Sequence, residues 1–159
     1  MVKGGEAGAK AAEGILARVA RAIFKVSKSA GKKAPAAVRK VARGQGKHPF
    51  DMVPPGAKRR VLTPVKGKVR DGVEYRWKDA NGKNVRIRAH GRDPSAPPGT
   101  HASKGPVYRV EHDGHYIGSD GKRYKPSELN PDSPDYNPKA ANNTHIPWPP
   151  HIPVPWEAP

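Results

Sequence analysis

The chain has 159 residues, room for one modest domain with extensions. Only 35% of them are hydrophobic and 6% aromatic, against 19 Pro and 17 Gly, so a core running the whole length is excluded and loosely ordered flanks are expected. Cys is absent, which excludes a disulfide framework and thiolate metal sites, and the formal net charge of +16 favours nucleic acid, an anionic membrane or an acidic protein as partner.

The charge is lopsided: residues 1–70 carry 18 Lys/Arg against three acids, residues 71–159 carry 12 against 11. The first half thus reads as basic and the second as nearly neutral, and the chain is divided into a basic helical arm or linker (1–46), a folded domain (47–148) and a Pro-rich tail (149–159). No apolar run approaches the roughly 18–20 residues of a membrane span. Gly14–Val26 is interrupted by Arg18, Arg21 and Lys25 and lacks a small-residue cleavage site, so it is a poor signal peptide.

Lys10–Ser29 reads as a helix, with Ile15, Val19, Ala22, Ile23 and Val26 on one side and Arg18, Arg21, Lys25 and Lys28 on the other. Such a helix packs on the domain or an upstream partner, or lies on a membrane or along nucleic acid. Gly31–Gly46, interrupted by Pro35, is a second short helix or a linker. His48–Pro64 is turn-rich, and Val65–Val69 reads as a short strand.

The clearest signal is Gly72–His90. Val73, Tyr75 and Trp77 alternate with Glu74, Arg76 and Lys78. A turn at Asp79-Ala80-Asn81-Gly82 follows, then Val85, Ile87 and Ala89 alternate with Arg86, Arg88 and His90. Two period-2 runs joined through Asn-Gly predict a hairpin, its apolar set facing a core and Arg76, Lys78, Arg86, Arg88 and His90 sharing the other face. Gly91–Gly105 is a Pro/Gly-rich loop containing His101. Pro106–His112 predicts a third strand, Asp113-Gly114 a tight turn back through His115-Tyr116-Ile117, and Asp120-Gly121 another turn before Arg123-Tyr124. The expected fold is α+β: a basic N-terminal helix or helices, then about four antiparallel strands in a meander. From Pro126 onward polyproline II or extended segments are expected, with Trp148 and Trp156 pinning the tail to the sheet.

Cleaving RNA without a metal needs a base for the ribose 2′-hydroxyl, an acid for the leaving oxygen, and cations around the phosphate. His suits the first two because it titrates near neutrality, and Arg suits the third because its fork matches phosphate oxygens. Arg86, Arg88 and His90 supply these types on one strand face, and His90 stands at a strand end where sites commonly form. Arg109 on the third strand is a further cation, beside Arg86 or Arg88 if the register allows, which the sequence does not give. His101 in the long loop and Thr144-His145 in the tail complete the candidates: the Thr hydroxyl to hold a phosphate oxygen, the histidines for proton transfer. Each has a plain alternative, a solvated strand face for the arginines and ordinary surface for the loop and tail residues. His48, His112, His115 and His151 read as non-catalytic. A metal site at His112 and His115, near Asp113 and Asp120, would need a downstream helix with a third ligand, and none is read there, so no metal or cofactor is expected.

The stretch Val85-Arg86-Ile87-Arg88-Ala89-His90-Gly91-Arg92-Asp93-Pro94-Ser95-Ala96-Pro97-Pro98-Gly99-Thr100, the strand Val107-Tyr108-Arg109-Val110 and the ending Thr144-His145-Ile146-Pro147 resemble the polymorphic toxin type 30 domain. The resemblance covers about Gly72 to Trp148, and its most specific element is Asp-Pro-Ser-Ala-Pro-Pro-Gly. It implies a ribonuclease used between competing bacteria and acting in the target-cell cytoplasm, with helices packed on a four-stranded antiparallel sheet in the barnase–EndoU–colicin–RelE manner. It also implies RNA as substrate and a cognate immunity protein. Such domains normally follow a long delivery region, whereas about 70 residues precede the hairpin, which fits a truncated cassette, a fragment, or a short effector carried by a delivery partner. The competing reading is a non-catalytic basic protein that packages nucleic acid, which the charge supports equally well. A third is an interaction module docking through its Pro-rich tail.

Overall fold

The computed structural model describes residues 33–69 and 71–157. The helix expected over Lys10–Ser29 lies outside the described residues. The chain divides into two compact units, Met1–Lys33 and Ala34–Pro159, and every element below belongs to the second.

The class is α+β, and the sheet is larger than the four strands expected. Helix α1 (Ala36–Ala42) is followed by β1 (Lys58–Val61), β2 (Gly72–Lys78), β3 (Asn84–His90), helix α2 (His101–Lys104), β4 (Val107–His112), β5 (His115–Ile117), β6 (Arg123–Tyr124), helices α3 (Pro126–Leu129) and α4 (Pro138–Thr144), and β7 (Ile146–Pro147). The strands form one antiparallel sheet in the order β1-β2-β3-β4-β5-β6, and β7 pairs with β4 beyond the end of β5.

The hairpin forms where alternation places it, with Tyr75 opposite Ile87 and Trp77 opposite Val85. Asp79 closes its tip by accepting the backbone N–H groups of Asn81 and Lys83, both at 2.9 Å, and Gly82 takes the left-handed φ of +74° that the turn requires. Asp113-Gly114 makes the tight return, both residues at positive φ (49° and 75°), which joins two strands without splaying them.

Three expectations fail for identifiable reasons. Val65–Val69 is a turn, not a strand: Val65 and Val69 are joined by a backbone hydrogen bond across Gly67, which has φ +73°. The first strand lies earlier, at Lys58–Val61, exposed at every position, whose side chains show no apolar alternation because it is a sheet edge. The segment after Pro126 is not extended throughout. Pro126 and Pro138 open α3 and α4 in the first turn, where proline is favoured because its missing N–H would have no helical partner. Asn137 caps α4 by accepting the Ala140 N–H at 3.0 Å.

Residues 34–46, grouped by charge with the arm, pack on the sheet. Ala34, Val38, Val41 and Ala42 join Val85, Ile87, Ala89, Tyr108, Val110, Ile117, Ile146 and Trp148 in the core. Helix α1 ends in a Schellman turn, Gly44 at φ +67° donating to Val41 O and Gln45 to Lys40 O. The buried Tyr108 hydroxyl donates to Val41 O at 2.8 Å, tying β4 to this helix, and burial pushes its pKa up to about 12. Tyr108→Phe should therefore cost about 1 kcal/mol, the net worth of one hydrogen bond, in urea unfolding at pH 7; unchanged stability would dissociate α1 from the cooperative unit.

Trp148 is buried and Trp156 half-buried against the same core, in line with the pinning role expected of them. Trp148 donates its backbone N–H to Pro106 O and its indole N–H to Ile152 O, both at 2.9 Å.

Candidate active site

The sheet face away from α1 is polar, and register sorts its charges into rows. Arg60, Glu74, Arg88 and Arg109 lie opposite one another across β1, β2, β3 and β4; Lys58, Arg76, Arg86, Glu111 and Tyr116 form the next row. Gly72 and Val107 flank His90 at the strand end. A Cβ on Gly72 would lie 2.5 Å from Leu62 Cδ1, 2.7 Å from the Ala89 carbonyl oxygen and 3.2 Å from His90 Cβ, so glycine lets β2 pair closely beside this histidine under Leu62.

The structure brings four of the seven candidates together. The rings of His90 and His145 meet edge to face at 5.8 Å. Arg88 and Arg109 are cross-strand partners beside them, close enough that both arginines act on His90 electrostatically and Arg109 also acts on His145. The Arg109 guanidinium stacks on the Tyr116 ring at 4.1 Å. Burial pushes its pKa down to about 10. The Nε groups of Arg88 and Arg109 are buried with no hydrogen-bond partner. Two like charges directly opposed on neighbouring strands repel, and an anion bound between them relieves that cost.

Backbone carbonyls fix the histidine tautomers, because a carbonyl oxygen can only accept. His90 donates Nδ1–H to Gly91 O at 2.8 Å, and His145 donates Nδ1–H to Ala141 O at 2.7 Å. Each ring is left with the Nε2 lone pair, the basic position. Burial lowers the pKa of His90, with further lowering from Arg88 and Arg109 that outweighs the Gly91 carbonyl and Asp93. Burial, then Arg109, pushes His145 down to about 3 against the opposing Ala141 carbonyl. Both imidazoles are therefore neutral at neutral pH.

The other three candidates sit differently. Arg86 is tied to the Glu111 carboxylate, donates to the Tyr116 hydroxyl at 2.8 Å and lies 3.6 Å from Glu74. Thr144 is wholly buried, its hydroxyl donating to Ala141 O at 3.0 Å within α4. His101 anchors rather than faces the pair. Its Nδ1–H reaches His145 O at 2.8 Å and Asn142 O at 3.2 Å, and its backbone N–H donates to Asn142 Oδ1 at 2.9 Å, joining α2 to the end of α4.

Glu74 was not singled out from the sequence. It is 1% exposed and within 2.5–3.6 Å of Arg60, Arg76 and Arg86, so one buried carboxylate organises the cationic face. Alternation places it on that face, but burial of an acid among arginines depends on register. His112 and His115 are occupied elsewhere: His112, fully buried, pairs through Nε2 with Asp79 at 2.8 Å, and His115 Nδ1 lies 3.0 Å from Arg123 Nη2. Among the described residues no group of three His, Cys, Asp or Glu is placed to hold a metal, and no helix is long and apolar enough to cross a membrane.

No curated protein and no solved structure matches the chain. The family described as Bacterial toxin 30 matches residues 48–149, which span β1 to β7 and every candidate residue above, and the chain belongs to that family.

Proposed function

We propose that this toxin domain is a metal-independent endoribonuclease whose active centre is His90, His145, Arg88 and Arg109. The observation that carries the reading is the pair of imidazoles, His90 buried and His145 half-buried, each with its Nε2 available, at the end of a cross-strand arginine pair. The phosphate sits against the two guanidiniums, which stabilise the charge that builds on its oxygens as the 2′-hydroxyl attacks phosphorus. His145, the more depressed of the two, takes the hydroxyl proton. His90 gives a proton to the departing 5′-oxygen, leaving a 2′,3′-cyclic phosphate and a 5′-hydroxyl. The phosphate's negative charge offsets the arginine repulsion on His90 and so favours the protonated form the acid needs.

In this reading Arg86, Thr144 and His101 are positioning residues. Arg86 holds Glu111, Tyr116 and Glu74 beside the binding arginines on the same face, while Thr144 and His101 hold the end of α4 from which His145 projects. Delivery to the cytoplasm of a target bacterium, and neutralisation in the producing cell by a cognate immunity protein, belong to the same proposal, which membership of a toxin family supports. The test is incubation of purified protein with total RNA, with and without EDTA, resolved on a denaturing gel. Discrete cleavage surviving EDTA supports the reading. Salt-dependent RNA binding without turnover would replace it with a non-catalytic nucleic-acid-binding protein.

Arg109→Gln should lower kcat/KM for RNA by about 10²-fold, the usual cost of losing a donor to developing phosphate charge. Arg109→Lys should not restore the rate, because an ammonium supplies neither the fork nor the stacking on Tyr116. Unaltered turnover and affinity in Arg109→Gln would remove it from the centre.

A further inference from the structure

Beside the histidine pair is a cavity of about 250 Å³ with His145 on its wall. It lies between the loop after β3 and helices α3 and α4. Its flat lining comes from Tyr136, Pro97 and Pro131, and its polar groups include Asp93 and Asn142. The loop is held in place from both sides: the Asp93 N–H donates to Ala102 O at 2.9 Å, and Asp93 Oδ1 accepts the Ser95 N–H at 2.9 Å and the Ser95 hydroxyl at 2.6 Å. That leaves the second carboxylate oxygen of Asp93 as an acceptor. Asn142 uses its amide oxygen on the His101 N–H, which leaves its NH2 as a donor.

We propose that this cavity seats one nucleobase of the RNA, the base next to the scissile bond, stacked on Tyr136 and read at its edge by Asp93 and Asn142. The assignment rests on the ribonuclease reading for its position beside the bond cut. A planar ring gains from aromatic stacking whichever base it is. An acceptor and a donor lining one cavity match the edge of a base, which carries N–H donors beside carbonyl or ring-nitrogen acceptors. The acceptor-only carboxylate selects an N–H-bearing edge. A base seated here must leave its stack, so the pocket makes the toxin an enzyme for unpaired nucleotides in loops and single strands.

Isothermal titration of inorganic phosphate and the four nucleoside 3′-monophosphates tests this without requiring turnover. Nucleotides should bind at least about tenfold tighter than phosphate, the worth of one stacked base. The advantage should vanish in Tyr136→Ala and persist in Tyr136→Phe, while Asp93→Asn should reorder the four bases. Nucleotides binding no tighter than phosphate, or an advantage that survives Tyr136→Ala, would overturn the pocket. Should Tyr136→Ala fail to fold, Asp93→Asn carries the test, and an unchanged base order overturns it. A protein that shows the nucleotide advantage yet never cuts RNA sinks the ribonuclease reading and leaves the pocket standing. One that cuts RNA without that advantage does the reverse.

Discussion

Replacing His145 or His90 with alanine is expected to lower RNA cleavage by about 10²-fold or more each, the ordinary contribution of a positioned proton-transfer group. The double variant should be little worse than either single one, because both act in one proton circuit and losing either member breaks it. The pH profile separates the roles. In kcat/KM, which reports the free enzyme, the base limb follows His145 near 3 and the acid limb follows His90 below 6.5, so the optimum lies on the acid side of 6.5. His145→Ala should remove the low-pH limb and His90→Ala the high-pH limb. An optimum above 7, or full activity in both variants, would discard the pair.

The same depressed values bear on stability. Both histidines are neutral in the folded chain, while in the unfolded chain they take up protons as pH drops through about 6.5. The unfolded state then binds more protons at these sites, so the stability they contribute is fully present above 6.5 and is lost from there toward the folded value of His145 near 3. Urea unfolding at pH 7 and pH 5 should show the decline, and His145→Gln should reduce it. A slope unchanged in that variant would mean that the fold does not hold His145 as a neutral ring.

What the sequence reveals and what it conceals follow the range of the interactions. The hairpin from Gly72 to His90 and the return at Asp113-Gly114 are visible because alternation and left-handed turn residues are local properties. For the same reason Arg86, Arg88 and His90 can be placed on one face before any register is known. Register then separates the two arginines: Arg86 meets Glu111 and Tyr116, while Arg88 meets Arg109 and keeps an unpartnered Nε. The rest of the sheet depends on contacts between distant segments. Edge strand β1 has no buried face to leave a pattern, and β7 is two residues long, held by Val107 and Tyr108 of β4. Pro126 and Pro138 mislead in isolation, since proline ends a helix in its interior but suits its first turn. His145 could be picked out as a chemical type in the tail, but its meeting with His90 requires α4 and β7, neither of which the proline-dense sequence suggests.

Trp148→Ala is expected to destabilise the domain by about 3–5 kcal/mol, the range for deleting a large buried aromatic. The indole is 6% exposed, and its ring neighbours come from two distant segments: His48 at 5.5 Å and Phe50 at 5.3 Å from one, Tyr108 at 6.1 Å from the other. Truncation leaves a cavity between them and strips Ile152 O of its partner at 2.9 Å, so the turn at Pro149–Ile152 loses its tether as well. Against a total of about 5–15 kcal/mol for a domain this size, such a loss brings the folded state close to failure. Trp148→Phe keeps most of the packing but not the N–H, and should cost about 1–3 kcal/mol. Because Trp148 lies three residues after His145, on the segment that carries it, the alanine variant should also reduce RNA cleavage under conditions where the protein remains folded, through displacement of that imidazole from His90. A loss below about 1 kcal/mol in guanidinium unfolding at an unchanged m-value would show that the proline-rich end is an appendage after all, and that the sheet closes its core without it.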